Sequence, residues 1–137
     1  MTRSFHLSDY NEKVLDHYEN PRNVGRVADP DAEAMAGNPD GDRMRLTLRI
    51  RNGVIEAAMF QTFGCVAAIA SSSMVTEMLQ GLTLDDALRL TNRDVVEALG
   101  GLPEVKVECS VVAEKAIRAA LADYRERQTD PGPGSGC

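Results

Sequence analysis

The chain has 137 residues, a length that fits one domain with a hydrophobic core. Its 21 acidic and 15 basic residues give a net charge of −6, which argues against nucleic acid or an anionic membrane as a partner, because both attract clustered Lys and Arg. No stretch approaches the ~20 apolar residues of a membrane-spanning helix, and the first residues lack the apolar segment of a secretory signal, so we expect a cytoplasmic protein with reduced thiols.

The N-terminal part is predicted to form one helix followed by a loop. Ser8 is expected to cap a helix over residues 9–19, on which His17 would occupy a polar, exposed face. Residues 21–41 are rich in Pro, Gly, Asp and Asn, which is typical of a loop. A short edge strand is expected at most near residues 25–28.

A β-hairpin is the clearest prediction from the sequence. Residues 43–51 alternate strictly between polar and apolar side chains, which indicates a half-buried strand. Asn52-Gly53 is the favoured pair for a two-residue type I′ turn, so the chain should return as a strand over about residues 54–63. The expected cross-strand pairs are Ile50–Ile55, Arg49–Glu56, Leu48–Ala57 and Leu46–Met59.

The same register, continued past the strand ends, brings carboxylates close to a thiol. Asp40 would lie opposite Cys65, and Asp42 would lie opposite Phe63, diagonal to Cys65. Directly opposed Cβ atoms are about 5 Å apart and diagonal ones about 7–8 Å. We therefore expect Asp40 or Asp42 to lie within reach of a metal ion that Cys65 binds.

Helical patterns follow the hairpin and continue towards the C-terminus. The order of a helix, antiparallel strands and further helices predicts an α+β domain over residues 1–128. Residues 129–137 are rich in Pro and Gly and are expected to form a flexible tail. The predicted helices cover residues 66–80, 83–90, a segment from a cap at Asn92 to Gly100-Gly101, and 110–127.

Two cysteines are predicted to lie at helix starts. Cys65 opens one helix and Cys109 immediately precedes the last, where backbone N–H groups and the helix dipole stabilise a thiolate. With Asp40 and Asp42 nearby, they form a candidate set of metal ligands. A lone intracellular cysteine is more often a small buried apolar residue, and aspartates beside Pro and Gly are most often turn residues. Cys137, in the predicted tail, is expected to be incidental.

Three long segments of the chain carry a family resemblance. They are residues 10–25 (YNEKVLDHYENPRNVG), 62–73 (TFGCVAAIASSS) and 105–114 (VKVECSVVAE), and they resemble the NifU/IscU-type iron–sulfur cluster scaffold family. The resemblance implies a small antiparallel sheet packed by helices, with cluster ligands at one exposed end. It also implies assembly of a [2Fe–2S] cluster from iron and sulfur that a cysteine desulfurase delivers, and transfer of the cluster to acceptor proteins, by a scaffold rather than an enzyme.

The resemblance assigns residues to the site and reveals two departures. Cys65 matches the family's second cysteine, Cys109 matches the third, which accepts sulfur, and Asp42 matches the family's aspartate. The first cysteine is missing: the segment that ends in Asp42 is one residue shorter than Gly-x-Pro-x-Cys-Gly-Asp, and Asp40 stands where that cysteine would be. Glu108 stands in the place of the family's histidine. Both changes introduce oxygen donors, which should weaken a cluster and favour Fe²⁺ or Zn²⁺.

The resemblance leaves partners and two other functions open. Residues 102–106 (LPEVK) depart from the Leu-Pro-Pro-Val-Lys that a DnaK-class chaperone binds, which argues against that docking. The 43 residues between Cys65 and Cys109 are similar to the IscU spacing, whereas the zinc-dependent SufU branch has an insertion. The alternatives to a scaffold are a persulfide-carrying sulfur-transfer protein and a zinc-binding regulatory paralogue that docks on a cysteine desulfurase.

Overall fold

The computed structural model describes residues 10–39, 41–103 and 106–129, and of residues 108, 109 and 129 it describes the backbone alone. Three strands and five helices lie within these residues, in the order helix, sheet, helices that the α+β prediction requires. In chain order they are α1 (Glu12–Glu19), β1 (Ala32–Gly37), β2 (Arg43–Arg51), β3 (Val54–Phe63), α2 (Val66–Leu79), α3 (Leu84–Leu88), α4 (Asn92–Ala98) and α5 (Val107–Thr129).

The strands form an antiparallel sheet in the order β1-β2-β3, and the β2–β3 hairpin has the predicted bounds. Asn52 and Gly53 both have positive φ, 54° and 76°, as a type I′ turn requires. Asn tolerates this region better than most residues, and Gly adopts it without steric cost. The turn prediction is therefore confirmed.

The predicted register is right beside the turn and wrong beyond it. Ile50 lies opposite Ile55, but the register shifts between Arg49 and Ile50, and Arg49 lies opposite Ala57. Glu56 is the extra residue of this β-bulge, so its predicted pairing with Arg49 is wrong. The remaining predicted pairs are replaced by Leu48–Ala58, Leu46–Phe60 and Arg43–Phe63.

The bulge has a physical cause in the apolar pattern of β3. Ile55 and Phe60 are both buried, at 0% and 2% exposure. They are an odd number of positions apart, so a regular strand would direct them to opposite faces of the sheet. One inserted residue lets both side chains enter the core, and each burial stabilises the fold by about 1.5–3 kcal/mol. The spacing of these two residues is the signal from which the bulge could have been predicted.

Strand β1 lies in the segment that was predicted to be a loop. Its alanines and glycine have low strand propensity, and contacts distant in sequence compensate. Asp31 accepts a hydrogen bond at Oδ2 from the Ile50 N–H (2.8 Å) at one end of the strand. The Glu33 N–H donates to Oδ2 of Asp123 on α5 (3.0 Å). The strand is therefore specified by β2 and α5 rather than by its own sequence.

Residues 23–25 pair with the free edge of β3, and residues 27 and 28 then contact the face of the sheet opposite the helices. The short strand expected near residues 25–28 does not form. The segment makes an isolated parallel bridge between Val24 and Phe60 instead. The Val27 N–H donates to the hydroxyl of Thr47 (2.9 Å), which explains why this polar residue of β2 is buried. This segment covers part of an otherwise exposed face.

Two helices begin at caps other than those predicted. Asn11 caps α1 by accepting a hydrogen bond from a first-turn N–H, whereas the predicted cap, Ser8, lies outside the described residues. Thr91 caps α4 through a reciprocal pair with Asp94, and Asn92 is the first helical residue. Because Ser, Thr, Asn and Asp all make good caps, sequence alone does not decide between neighbours of these types.

The last helix begins three residues earlier than predicted. α5 starts at Val107 rather than Ser110, so the backbone of Cys109 lies in its first turn instead of just before it. The spacing of Val112, Ala116 and Ala120 predicts an apolar stripe on this helix, and all three residues are buried. The tail predicted over residues 129–137 lies outside the described residues apart from the end of α5.

His17 does not lie on an exposed helix face, contrary to expectation. It is 4% exposed, and its Nδ1 lies 2.8 Å from the hydroxyl of Ser73 on α2. The same hydroxyl accepts the Arg22 N–H (2.9 Å), and the other ring nitrogen, Nε2, lies 3.5 Å from Oε1 of Glu77. Burial lowers the pKa of His17 below its ordinary value, and the Arg22 charge lowers this pKa further. A neutral His17 therefore ties α1 to α2.

The hydrophobic core lies between the inner face of the sheet and the helices packed on it. No helix in the described part of the chain is long and apolar enough to cross a lipid bilayer. The largest fully buried apolar side chains are Met44, Leu46, Leu48, Ile55, Leu79, Leu99, Ile117, Val14, Val75 and Val95.

Candidate functional site

The candidate site lies at the end of the β2–β3 hairpin away from its turn. Asp42 immediately precedes β2, and Cys65 immediately precedes α2, so two element starts meet there. Oδ1 of Asp42 accepts a hydrogen bond from the Cys65 N–H at 3.1 Å. The structure therefore brings together two of the five predicted ligands, a carboxylate and a cysteine.

Asp42 is held in place by Asn38, a residue outside the five predicted ligands. Asn38 donates from Nδ2 to Oδ2 of Asp42 (2.8 Å) and accepts the Asp42 N–H at its Oδ1 (3.0 Å). The Asn38 N–H also donates to the carbonyl of Asp42 (3.1 Å). These reciprocal bonds fix a carboxylate that is only 6% exposed. The signal in the sequence was the Asn-Pro pair, since Asn side chains commonly bond to the backbone of a turn.

Gly64 is required by the position of the Asp42 carboxylate. A Cβ on Gly64 would lie 2.3 Å from Oδ1 of Asp42 and 3.0 Å from its Cγ. It would also lie 3.2 Å from the Cβ of Ala68 on the first turns of α2. Both carboxylate distances lie at or inside the closest approach of real Cβ atoms, so any other side chain must displace Asp42. The absence of a Cβ at Gly64 is what lets the carboxylate reach the start of α2.

Cys65 occupies the N-cap position of α2 without capping it through its side chain. The backbone of Cys65 is extended (φ −78°, ψ 175°), and its carbonyl accepts the Ile69 N–H (3.0 Å). Cys65 is half-buried. The first turn of α2 has no acidic residue of its own, so Asp42 supplies the negative charge that the helix N-terminus favours. Backbone dipoles at a helix start favour the charged form of a thiol placed there.

An open cavity of about 500 Å³ lies over this pair of residues. Its walls combine one carboxylate, one thiol and the backbone of two glycines with apolar and hydroxyl side chains. The cavity is therefore large enough for a metal ion and its ligands next to Asp42 and Cys65. The lining residues are Gly41, Asp42, Thr62, Phe63, Gly64, Cys65 and Ile69.

The other predicted ligands fall outside what the structure describes. Asp40 lies in the gap between the described residues, and of Glu108 and Cys109 the backbone alone is described, in the first turn of α5. Cys137 lies outside the described residues as well. Among the side chains that are described, no three His, Cys, Asp or Glu residues lie close enough to hold one ion. The ligand set of five residues therefore remains a prediction.

Comparison with protein families and relatives gives consistent matches. Residues 9–131 match the model of the NifU-like N terminal domain. The chain is 51% identical over 116 residues to iron-sulfur cluster assembly scaffold protein IscU 1 of Archaeoglobus fulgidus, a match that covers 84% of this chain and 76% of that protein. It is 50% identical over 124 residues to the scaffold protein IscU of Escherichia coli K12, covering 87% of this chain and 96% of the relative.

Solved structures share the fold at lower identity. The N-terminal part of a NifU-like protein from Brucella abortus has a TM-score of 0.71 at 21% identity, covering 87% of this chain and 96% of the other. A putative scaffold protein for the SUF system from Fervidobacterium islandicum also has a TM-score of 0.71, at 17% identity, with coverages of 83% and 97%. These likenesses establish the fold, and the predicted fold class is confirmed.

Proposed function

Because this chain belongs to the NifU-like N-terminal domain family, we propose that it is a scaffold on which an iron–sulfur cluster is assembled before transfer to acceptor proteins. One observation carries the proposal: half of the residues are identical to those of IscU scaffold proteins over most of the chain. The contact between Asp42 and Cys65 supports it, since these residues match the family's aspartate and second cysteine.

The ligands proposed for a [2Fe–2S] cargo are Asp42, Cys65 and Cys109. In the structure each oxygen of Asp42 accepts one hydrogen bond, from the Cys65 N–H and from Asn38. An ionised carboxylate has about four lone-pair sites, so Asp42 retains acceptor capacity for a metal ion while it holds the start of α2. The thiolate of Cys65 lies at the same helix start, and that of Cys109 is expected to complete the set.

Asp40 and Glu108 are proposed to stand in for the family's first cysteine and its histidine. Both supply carboxylate oxygens, which are harder donors than thiolate or imidazole. We therefore expect a cluster on this chain to be more labile than one held by three cysteines. The same donors suit Fe²⁺ and Zn²⁺, so a single bound ion is the expected state of the site before sulfur arrives.

The role is proposed to be non-catalytic and cytoplasmic. A cysteine desulfurase supplies the sulfur, and iron–sulfur acceptor proteins receive the cluster, while the departure over residues 102–106 argues against docking of a DnaK-class chaperone. The relatives named above are scaffold proteins. No observation on the described residues favours the sulfur-transfer or zinc-regulator alternatives.

Anaerobic reconstitution tests the proposal. The full chain is incubated with Fe²⁺, cysteine, a cysteine desulfurase and a thiol reductant such as dithiothreitol, which reduces the delivered sulfur to sulfide. Iron and acid-labile sulfide per chain are measured after gel filtration, together with visible absorption. We expect bound iron and sulfide in the unmodified chain, loss of both in Cys65→Ala and Cys109→Ala, and retention in the matched control Cys137→Ala. Circular dichroism checks that each variant is folded.

The same experiment identifies the alternatives. A chain that carries persulfide sulfur on a cysteine, detected by mass spectrometry, but no iron would be a sulfur-transfer protein and would contradict the scaffold proposal. A chain that retains Zn²⁺, gains neither iron nor sulfide, and changes desulfurase activity would be a regulator. Retention of iron by both Cys65→Ala and Cys109→Ala would show that these residues are not ligands.

A further inference from the structure

The face of the sheet opposite the helices carries an exposed patch beside the candidate site. The outer patch consists of Met35, Arg43, Arg45, Gln61 and Phe63. Met35, Arg45 and Gln61 form one cross-strand row, and Arg43 and Phe63 belong to the next row, at the end of the hairpin nearest Cys65. Phe63 is 78% exposed and Met35 53% exposed, whereas large apolar side chains are usually covered.

Alternation along β2 places the patch on the outer face. Met44 and Leu46 point into the core and are fully buried, so Arg43 and Arg45 point the other way. Further along this face, the segment that contains Val27 and Ala28 covers the sheet, and the Val27 N–H donates to the hydroxyl of Thr47. Among the described residues, that covering segment ends before the outer patch.

The outer patch is basic on a chain that is acidic overall. The net charge is −6, yet both charged side chains of the patch are arginines. Arg45 forms an ion pair with Glu33 (2.9 Å), but Glu33 also pairs with Arg26 (2.9 Å), so one carboxylate serves two guanidinium groups. Arg43 is exposed and forms no ion pair within the described part of the chain. The local excess of positive charge favours an acidic partner.

The outer patch is continuous with the candidate site. Phe63 lines the cavity that also contains Cys65, and the two residues are separated by Gly64 alone. Two positions along an extended chain span about 7 Å. A protein that covers the ring of Phe63 therefore lies with its surface next to the proposed ligand Cys65. A protein that takes over a cluster needs this closeness, because its own ligands must reach the cluster.

We propose that the outer patch docks an acidic acceptor apoprotein, one whose surface carries an apolar pocket for the Phe63 ring surrounded by carboxylates. This inference rests on the proposed scaffold function and names the class of protein that the site serves. Most of the surface of an acidic chain repels an acidic partner, so the arginines of the patch orient the encounter. Phe63 supplies an exposed aromatic side chain that becomes buried when the partner binds, as the anchors of such interfaces do.

Binding of the full-length chain without metal to the apo form of an acidic [2Fe–2S] protein tests the docking. Isothermal titration calorimetry measures Kd for the unmodified chain, Phe63→Ser and Arg43→Ser at low and high salt. We expect each variant to raise Kd at least tenfold and added salt to weaken binding of the unmodified chain. The matched controls are Val24→Ser, which removes an exposed apolar residue outside the patch, and Arg93→Ser, which removes an exposed arginine of α4. Both controls should leave Kd within about twofold.

Three outcomes would overturn the docking proposal. Equal Kd for patch and control variants would show that the patch is not the interface. Loss of desulfurase binding with intact acceptor binding would assign the patch to the sulfur donor, and a dimer that Phe63→Ser dissociates in ultracentrifugation would assign it to a second copy of the chain. Since the titration uses chains without metal, its result is independent of reconstitution, in which the scaffold proposal stands or fails.

Discussion

The two ends of the β2–β3 hairpin are built in different ways. At the turn, the conformation depends on two adjacent residues, Asn52 and Gly53, and a Cβ on Gly53 would meet no atom within 4 Å. At the site end, Asp42 contacts Gly64 and the N–H of Cys65, residues more than twenty positions away in sequence. The conformation of the turn end is therefore set by neighbouring residues, and there is space for an added side chain. The conformation of the site end is set by contacts between residues distant in sequence, and an added side chain at Gly64 would collide with Asp42.

The β-bulge at Glu56 shifts the pairing of β2 with β3 between the turn end and the site end. Beside the turn the pairing follows the two-residue loop, whereas beyond the bulge each residue of β2 faces a residue one position later than a regular hairpin would give. At the site end Arg43 pairs with Phe63, which leaves Asp42 beside Gly64 instead of opposite Phe63 as predicted. A shift of one position thus presents the carboxylate to the residue that lacks a Cβ.

Gly64→Ala should have the largest effect and should break the site end alone. The new Cβ overlaps the Asp42 carboxylate at 2.3 Å, so Asp42 must move and release the Cys65 N–H. Overpacking of this kind costs about 1–3 kcal/mol in the free energy of unfolding, and we expect the upper part of that range. Urea denaturation measures the cost, and reconstitution should show loss of iron and sulfide. An unchanged midpoint with full iron retention would contradict the contact.

Asp42→Ala and Asp42→Asn separate the structural role of the carboxylate from its role as a ligand. Ala leaves the Cys65 N–H and the Asn38 amide without their acceptor, which should cost about 1–3 kcal/mol of stability. Asn retains an oxygen for the Cys65 N–H, so we expect a smaller loss of stability. Iron retention should fall in both variants, because a neutral amide is a weaker ligand than a carboxylate. Equal stability of the two variants would show that Asp42 does not hold the start of α2.

The difference between local and distant contacts also explains which parts of the structure the sequence could predict. The turn, the bounds of β2 and β3 and the stripe of α5 depend on residues near one another, and their patterns were sufficient. Strand β1 and the bulge depend on tertiary packing, since an alanine-rich segment becomes a strand only against β2 and α5. For the site, the alternating pattern predicted that Asp42 lies near Cys65. It did not predict the hydrogen bonds from Asn38 to Asp42, or the position of Asp42 beside Gly64, which follows from the shifted register.

Gly53→Ala should break the turn end alone, with a smaller effect. The φ of 76° is in the left-handed region, where a side chain costs about 1 kcal/mol, but the added methyl has open space around it. We expect a loss of about that size in urea denaturation and full retention of iron and sulfide after reconstitution. Loss of the cluster would show that the two ends are coupled through the hairpin and are not specified independently.

Glu56→Gln should have the smallest effect. It tests whether the ion pair of Glu56 stabilises the β-bulge. Glu56 forms an ion pair with Arg51 at 3.3 Å, but both side chains are about half exposed or more. Exposed pairs typically contribute about 0–1 kcal/mol and weaken with salt. If the bulge exists because Ile55 and Phe60 must both enter the core, losing this pair leaves it in place.

The expected result for Glu56→Gln is therefore a change of less than about 0.5 kcal/mol in the free energy of unfolding, equal at high and low salt within error, with unchanged iron retention. Glu56→Ala serves as the matched variant that also removes the amide. A loss well above that size, or release of iron, would mean that the ion pair fixes the register. The site end would then depend on a surface charge pair at the opposite end of the hairpin rather than on the apolar pattern of β3.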